Sequence, residues 1–163
     1  MHIRPATTAD IASIQHLAAL VWPTAYADIL SPRQMQYMLH MMYSEEVLRR
    51  QMTEEGHQFL IAEEDGKAIG FAGFGPVAGS EWKLHKLYVL PFLQQKGAGK
   101  TLITEVENLA KSQGAKSLIL NVNRNNNAVG FYQHLGYQIY DQGDYPIGAG
   151  FYMNDYKMRK AIS

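Results

Sequence analysis

The chain has 163 residues, of which 47% are hydrophobic, with 15 basic side chains, 15 acidic side chains and no cysteine. This length and composition predict one folded domain, spanning residues 1–163, and exclude an intrinsically disordered chain. A net charge of zero argues against a nucleic-acid partner, and the lack of cysteine excludes disulfides, cysteine-bound zinc and a covalent acyl-cysteine route. No apolar run approaches the roughly 18 residues of a membrane span. No signal-peptide pattern is present either, so the cytoplasm is the expected location.

The N-terminal part of the chain predicts one strand followed by a helix. Residues 2–6 form the expected strand, and Thr7 with Asp10 has the spacing of a capping box at a helix start. An apolar stripe at helical spacing follows, formed by Ile11, Ile14, Leu17, Ala18 and Val21.

Two further helices are predicted before the next strand. Pro23 is expected to end the first helix, so residues 22–30 are predicted as a connection. Ser31 followed by Pro32 marks a second helix start, and Ser44 marks a third. The second helix places methionines at helical spacing, which pack in the core or form an adaptable pocket wall. These methionines are Met35, Met38 and Met42.

The rest of the chain predicts six more strands and two helices. Asp65-Gly66 predicts a hairpin turn between the first two of these strands. The predicted strands cover residues 59–64, 67–74, 82–89, 116–122, 137–145 and 150–158. The predicted helices cover residues 99–111 and 125–136. The apolar run of residues 118–120 is typical of a strand covered on both faces.

A glycine-containing segment between the fourth strand and its helix has the features of an anion site. Pro91 ends the strand because it has no N–H to donate, and residues 94–99 form a loop before a helix that begins near Lys100. Gly97 and Gly99 let the backbone approach an anion closely. The helix N-terminus adds unpaired N–H groups and a partial positive charge. The expected ligand is a phosphate or pyrophosphate.

Three phosphate-binding patterns can be compared with this segment. The nucleotide P-loop requires glycine where the chain has Gln94, and the Rossmann pattern requires glycine where it has Leu102. The pattern [RQ]-x-x-G-x-[GA] of the GNAT superfamily of N-acetyltransferases is satisfied by residues 94–99. Residues 125–137 also resemble the superfamily pattern N-x-x-A-x-x-F-Y-x-x-x-G-[FY], one helix and one strand farther along the chain.

The order of predicted elements resembles the GNAT fold along essentially the whole chain. This resemblance implies an α/β (α+β) fold: a mixed, mostly antiparallel central sheet of about seven strands with helices on both faces. Among GNAT groups the chain is most similar to the bacterial spermine/spermidine acetyltransferase type, through residues 30–32, 86–89 and 150–153. The resemblance implies acetyl transfer from acetyl-CoA to a primary amine by direct attack. Six scattered histidines show no ligand spacing, so no metal is expected.

The resemblance assigns acetyl-CoA to two parts of the chain. The edge of the fourth strand is expected to pair with the pantetheine amides, beside a bulge where strands four and five separate. The N–H groups of the glycine loop, with Lys96 or Lys100 adding charge, are expected to hold the pyrophosphate. The expected cofactor-binding residues are Leu87, Tyr88, Val89, Gln94, Gln95, Lys96, Gly97, Ala98, Gly99, Lys100, Asn125 and Tyr132.

Tyr132 occupies the position of the superfamily's usual general acid, which donates a proton or a hydrogen bond to the leaving thiolate. A phenol is a neutral donor at pH 7, with an ordinary pKa of about 10. The alternative role for Tyr132 is core packing, which is the role expected for Phe131. Asn125 begins the same predicted helix and is expected to serve as a cap, a cofactor contact or both.

A base is also needed, because an alkylamine is a cation at neutral pH. Many superfamily members carry glutamate on strand four, near where this chain has Lys83. Strand alternation is expected to place Lys83, His85, Leu87 and Val89 on one face. His85 is the candidate base because imidazole titrates near neutrality. Glu81 or an ordered water chain is the alternative.

The expected partner is a small-molecule amine, with no nucleic acid and no membrane. By family analogy its pocket is lined by residues 22–30, the second helix and residues 145–150, with Trp22, Tyr26 and His85 as the substrate-binding candidates. A polyamine, another small amine, an antibiotic and a protein amino group all remain open. A deep acidic slot would indicate a polyamine, and an open groove a peptide. The sequence is compatible with a homodimer. A non-catalytic acyl-CoA sensor on the same fold is the competing hypothesis.

Overall fold

The computed structural model describes residues 1–163 except the side chains of residues 94–96. Across the described residues there are seven strands: β1 (His2–Pro5), β2 (Gln58–Glu64), β3 (Lys67–Ala78), β4 (Glu81–Val89), β5 (Ser117–Asn123), β6 (Gln138–Gly148) and β7 (Phe151–Ala161). The same residues include five α-helices: α1 (Ile11–Tyr26), α2 (Pro32–Tyr43), α3 (Glu45–Thr53), α4 (Ala98–Ser112) and α5 (Ala128–His134). The strands form one sheet in the order β1-β2-β3-β4-β5-β7-β6. Only the β4–β5 pair is parallel within this described sheet, which confirms the mixed, mostly antiparallel architecture.

The start of α1 is capped as the sequence predicts. Thr7 Oγ1 accepts a hydrogen bond from the Ala9 N–H at 3.3 Å, and Asp10 Oδ2 accepts one from the Thr7 N–H at 2.8 Å. These two bonds form a capping box on a short 3₁₀ turn, Thr8–Asp10, which leads into α1. The predicted apolar stripe of the helix is buried along its whole length.

The prediction that Pro23 ends the first helix is wrong, because α1 continues through it to Tyr26. A proline inside a helix removes one backbone hydrogen bond. Here the missing hydrogen bond lies in the last turn of α1, which aromatic packing stabilises. The Trp22 ring lies 4.7 Å from the Tyr26 ring and 5.9 Å from the Tyr43 ring, measured between centroids. Residues 22–26 are therefore a helical wall and not a free connection.

The next two helices begin at the predicted serines. Ser31 Oγ accepts a hydrogen bond from the Gln34 N–H at 3.1 Å, and Pro32 occupies the first turn of α2. Ser44 Oγ accepts a hydrogen bond from the Val47 N–H at 3.4 Å and caps α3. These short capped helices pack against α1 on one face of the sheet.

The hairpin between β2 and β3 turns at Asp65-Gly66, where both residues have positive φ, 52° and 76°. Asp and Gly are the residues that tolerate this conformation, so the predicted turn is confirmed. Strand β3 extends to Ala78 and not to residue 74, although Pro76 lies inside it. The register against β4 shifts next to Pro76, which places the proline at an irregularity where a ladder bond is dispensable.

Strand β5 differs from its prediction in how it is buried. Leu118, Leu120 and Val122 are buried on one face, whereas Ile119, Asn121 and Asn123 are half-buried on the other. The expected cover on both faces is therefore complete on one face and partial on the other. The polar face instead borders a cavity.

Two hydrophobic cores lie on opposite faces of the sheet, as the predicted helices on both faces require. In one core Leu102 and Val106 of α4 pack with Leu118 of β5. In the other core Leu17 of α1 and Leu48 of α3 pack with residues of β2 and β3. None of the described helices has the length and apolar composition needed to cross a membrane.

Candidate active site

A cavity of about 930 Å³ lies where β4 and β5 separate. The two strands pair in parallel only from Glu81 to Leu84, so beyond Leu84 the edge of β4 faces the cavity and not a neighbouring strand. The register of β4 against β3 shifts at His85, because the residues on either side of it pair with consecutive residues of β3. Such a bulge bends a strand and increases its twist, which accounts for the separation. The expected bulge and the separation of the two strands are both confirmed.

The bulge also reverses the side-chain alternation of β4. Leu84 and Leu87 are three residues apart, yet both pack in the core beneath α4, together with Val89. In a regular strand they would point to opposite faces. Lys83, next to Leu84, points away from that core. The expectation that Lys83 and His85 share a face with Leu87 and Val89 is therefore wrong, since one extra residue in the strand shifts the pattern.

The cofactor candidates of β4 line this cavity. Leu87, Tyr88 and Val89 all border it, on the stretch that no longer pairs with β5. Their backbone is thus positioned to add a chain of amides as a strand would. The Tyr88 side chain points to the other face, where its Oη is 2.9 Å from Tyr26 Oη.

The N-terminus of α4 lies next to the same edge. Gly97 has a φ of 80°, in the left-handed region that favours glycine, and α4 has no side-chain cap bond there. The first helical bond runs from the Thr101 N–H to the Gly97 oxygen at 3.0 Å. The N–H groups of residues 98–100 therefore have no partner within the helix. A Cβ on Gly97 would contact no described atom within 4 Å, so the described residues leave the approach to these N–H groups open.

The remaining predicted residues of the glycine loop differ in what they offer. Ala98 is buried, so its side chain packs in the core and only its backbone can contact a ligand. Gly99 lines the cavity, and Lys100 is exposed. The predicted roles of the Gln94, Gln95 and Lys96 side chains lie outside the described residues.

Tyr132 lines the cavity from α5, opposite the edge of β4. Its ring packs against Phe131 and Tyr137, with centroid distances of 5.2 and 5.8 Å. Its hydroxyl forms no hydrogen bond with another described residue. Burial raises the pKa of Tyr132, and nearby Tyr26 raises it further, so the phenol stays protonated at neutral pH. The arrangement provides a neutral donor whose acceptor is not among the described residues.

Tyr26, a predicted substrate-binding residue, lines the cavity from the end of α1. Its Oη pairs with that of Tyr88, and burial raises the pKa of both phenols. Trp22, the second such candidate, also lines the cavity, but it is 1% exposed and its ring packs against both of these rings. Trp22 therefore presents almost no surface to a ligand.

His85 lines the cavity as predicted, but its electrostatic setting differs from the expected one. Its ring stacks on His57 with centroids 4.1 Å apart and planes 9° apart. Burial lowers the pKa of His85 to about 3, and His57, Lys83 and Lys86 lower it in the same direction. His85 therefore does not titrate near neutrality, which was the reason for considering it a base.

Lys86 is a buried cation that sequence reasoning missed. It is 4% exposed, its Nζ donates to Gln51 Oε1 at 2.9 Å, and it lies over the rings of Tyr43 and Phe59 at 5.4 and 5.6 Å. Burial lowers the pKa of Lys86 to about 8, with Glu55 acting in the opposite direction. The bulge at His85 could have signalled this residue, because it turns Lys86 inward.

Glu81, the alternative base, is engaged elsewhere. Its Oε2 accepts hydrogen bonds from Arg159 Nε at 3.0 Å and from Ser117 Oγ at 3.1 Å. It lies at the paired end of β4 and β5 and is absent from the cavity wall that the described residues form. The geometry does not bring Glu81 to the site.

The N-cap position of α5 is Asn127, which forms no side-chain cap bond. Asn126 Oδ1 accepts a hydrogen bond from the Ala128 N–H at 2.9 Å. Asn125 is exposed, and its N–H donates to Asn123 Oδ1 at 2.9 Å. Since α5 begins at Ala128, the capping role predicted for Asn125 is wrong, but Asn125 does line the cavity.

Asp155 of β7 is the second charged group that sequence reasoning missed. It is 2% exposed and lines the cavity, and its Oδ2 has no hydrogen-bond partner among the described residues. Burial raises the pKa of Asp155, while Asn121, Lys83 and Arg124 act in the opposite direction. A charged residue at an inward position of a strand was the available signal. Separately, no group of three potential metal ligands occurs among the described residues.

Comparisons with known proteins agree with this geometry. The sequence model of the acetyltransferase (GNAT) domain matches residues 26–160. Spermidine N(1)-acetyltransferase of Thermoplasma acidophilum is 29% identical over 146 residues, which cover 86% of this chain and 90% of that protein. The uncharacterized N-acetyltransferase YjgM of Escherichia coli is 31% identical over 100 residues, which cover 59% of this chain but only 58% of that protein.

The fold comparison gives the same result at greater coverage. The crystal structure of PaiA N-acetyltransferase from Thermoplasma acidophilum, in complex with coenzyme A, superposes with a TM-score of 0.84. The two chains are 28% identical, and the match covers 98% of each. The resemblance inferred from the two sequence motifs is confirmed. The chain belongs to the GNAT family of acetyl-CoA-dependent N-acetyltransferases.

Proposed function

We propose that the protein transfers the acetyl group of acetyl-CoA directly to the primary amine of a small molecule, inside the cavity between β4 and β5. The observation that carries this proposal is the position of Tyr132. Its unpartnered hydroxyl borders the same cavity as the open edge of β4 and the N-terminus of α4. A strand edge for the cofactor arm, an anion site and a neutral proton donor thus border one cavity.

The residues of the chain fit acetyl-CoA in three respects. Beyond its pairing with β5, the edge of β4 at Leu87 and Tyr88 can bind the pantetheine amides. The uncapped N–H groups of α4 can hold the pyrophosphate, because Gly97 leaves the approach open. Gly99 lines the cavity between these two places. The coenzyme A complex of the PaiA relative supports the same assignment.

The reaction asks the protein to orient two reactants and to manage two protons. The acceptor enters as an ammonium and releases one proton to solvent water to become nucleophilic. Its nitrogen then bonds to the acetyl carbon and the carbon–sulfur bond breaks. The departing thiolate takes a proton from Tyr132, and the proton that leaves the nitrogen as the amide forms restores the Tyr132 phenol. Holding both reactants in one cavity supplies the proximity on which direct attack depends.

Walls on several elements favour a small acceptor over a protein amino group. Tyr26, Met38 and Tyr145 approach the cavity from α1, α2 and β6. The relative named as a spermidine acetyltransferase supports a polyamine as one member of the acceptor panel.

The direct test is release of the coenzyme A thiol in the presence of a panel of amines. The panel contains spermidine, simple alkylamines, amino acids, an aminoglycoside and a peptide with a free N-terminus. Turnover with at least one small amine, and little with the peptide, is the expected result. Tight coenzyme A binding without turnover of any amine would instead favour the acyl-CoA sensor.

The pH dependence of activity tests the part played by His85. With a pKa of about 3, its imidazole is neutral throughout the range from pH 5.5 to 9. We therefore expect kcat/KM to follow the ionisation of the free amine alone, with no limb near the ordinary imidazole pKa of about 6.5. His85→Gln should keep the same profile. A limb near pH 6.5 that disappears in His85→Ala would restore the base role.

A further inference from the structure

Two opposite charges that form no ion pair with a described residue line the acceptor side of the cavity. Asp155 is almost fully buried, and its Oδ2 has no hydrogen-bond partner among the described residues. The ammonium of Lys83 likewise forms no ion pair or hydrogen bond with another described residue. Both side chains border the cavity, which makes them candidates for contact with a bound molecule.

The register of the sheet places these two groups on the same face. Lys83 of β4 pairs with Ile119 of β5, and Asn123 of β5 pairs with Asp155 of β7. Opposed residues of neighbouring strands project to the same side, and so does every second residue along a strand. Lys83, Asn121, Asn123 and Asp155 therefore form a polar floor on the face opposite the α4 core, and all four line the cavity.

Lys83 and Asp155 are near each other but not in contact. Asp155 raises the pKa of Lys83 while burial and Lys157 lower it, and Lys83 in turn lowers the pKa of Asp155. No nitrogen-to-oxygen distance of 4.0 Å or less joins them. Asn121 lowers the pKa of Asp155 through a side-chain hydrogen bond, whereas Oδ2 of Asp155 has no hydrogen-bond partner among the described residues. Because both charges line the cavity without forming an ion pair, a ligand that carries both signs can contact each of them there.

An unpaired buried carboxylate is unfavourable for the folded protein by itself. It becomes favourable when a cation enters the cavity. The same reasoning applies to the half-buried Lys83 and an anion. Among the described side chains that line the cavity, two carboxylates, Asp28 and Asp155, balance two ammonium groups, Lys83 and Lys86. This neutral lining does not match a polyamine, which requires an excess of negative charge.

We propose that the acceptor is a small zwitterion, an amino acid or a similar amine that also bears a carboxylate, with its ammonium at Asp155 and its carboxylate at Lys83. This inference rests on the proposed acetyl transfer, because the acceptor must share the cavity with the acetyl donor. It names the acceptor class and two residues that select it. Lys86 is excluded from this selection because Gln51 and two aromatic rings already hold it.

The first experiment needs only the wild-type protein. Thiol release is measured with a series of L-amino acids, with the C-terminal amide of each, and with spermidine. The amide keeps the amine and the side chain but removes the anionic charge. Since a charge-assisted hydrogen bond is about twice as strong as a neutral one, we expect kcat/KM for the best amino acid to exceed that for its amide about 10- to 100-fold. Spermidine should be a poorer acceptor than that amino acid.

The second experiment assigns the preference to Lys83. Lys83→Gln should reduce the ratio of acid to amide to near one, chiefly by raising KM for the acid. The matched control is Lys157→Gln, which removes a neighbouring cation that lies over the Tyr145 ring at 4.9 Å and is absent from the cavity lining that the described residues form. This control should retain the wild-type ratio. A ratio is insensitive to general loss of stability, so misfolding of part of the sample does not imitate the result.

The third experiment concerns Asp155. Asp155→Asn keeps the shape of the side chain and removes its charge, so we expect KM to rise about 10- to 100-fold for acid and amide alike. Coenzyme A affinity, measured by calorimetry, should stay unchanged, and Tm should stay equal or rise because an unpaired buried charge is gone. Asp28→Asn removes the other carboxylate, at the exposed rim, and should have a smaller effect.

The outcomes separate this inference from the proposed function. If none of the tested acceptors gives thiol release, the proposed acetyl transfer is overturned. Release that is indifferent to the acceptor's carboxylate, or fastest with spermidine, leaves the transfer standing and overturns the zwitterion. A lowered Tm in Asp155→Asn with an unchanged KM would identify Asp155 as a structural residue and also overturn it.

Discussion

Tyr132→Phe is expected to lower kcat by about 10²–10⁴ while leaving acetyl-CoA affinity nearly unchanged. The hydroxyl is the only group removed, and the Phe ring preserves the contacts with Phe131 and Tyr137. Because the hydroxyl has no partner among the described residues, its loss leaves no described group unpaired, and stability should change little. Steady-state kinetics at saturating substrates, with calorimetry for coenzyme A, checks both parts.

The matched control for this variant is Tyr137→Phe. The Tyr137 hydroxyl is also buried, but it donates to Glu107 Oε2 at 2.7 Å. Its removal should destabilise the fold by about 1 kcal/mol and leave kcat close to that of the wild type. If Tyr132→Phe turned over at the wild-type rate, with chemistry shown to be rate-limiting, Tyr132 would have no role in protonating the thiolate.

Gly97→Val is expected to weaken coenzyme A binding by roughly 10- to 100-fold, the equivalent of one lost charge-assisted hydrogen bond. Two effects act together. A side chain at a φ of 80° strains the backbone that presents the α4 N–H groups, and the valine methyl groups occupy the approach that is now open. Calorimetric titration with coenzyme A measures the change in Kd.

Gly114→Val separates these two effects. Gly114 follows the other end of α4, has a φ of 98°, and a Cβ there would also contact nothing within 4 Å. Both variants should therefore lose a similar amount of stability, about 1–2 kcal/mol from the left-handed backbone. Only Gly97→Val should lose affinity. Equal affinity in the two variants would mean that the N-terminus of α4 is not the phosphate site.

The strands, the capped helices and the glycine loop could be predicted because each depends on a local signal. The serines at positions 31 and 44 cap their helices through hydrogen bonds to residues three positions later, whatever the tertiary structure. The turn at Asp65-Gly66 depends only on the positive φ angles that these two residues tolerate. Pro23 shows the limit of such signals. Its local preference is overridden by the packing of Trp22 and Tyr26, and that packing depends on strands far away in the sequence.

Only those parts of the candidate site that follow from a backbone pattern or a sequence motif could be predicted. The cofactor edge and Tyr132 follow from two motifs, and both line the cavity. The faces of the sheet to which the side chains of His85 and Lys86 point depend on a one-residue bulge. Regular alternation along β4 does not reveal this bulge. Asp155 belongs to the site only because β7 lies beside β5, and that adjacency is a property of the sheet order and not of the residues around it.

The burial of Trp22 against Tyr26 and Tyr88 gives the protein an internal optical reporter. The chain has two tryptophans, and the other one, Trp82, packs in the α4 core against Phe74. Tyr26 and Tyr88 both border the cavity, so a ligand that moves either ring changes the surroundings of Trp22 first. Indole emission at position 22 therefore follows occupancy in real time. A Trp82→Phe background isolates that signal and allows the order of acetyl-CoA and acceptor binding to be measured without a label.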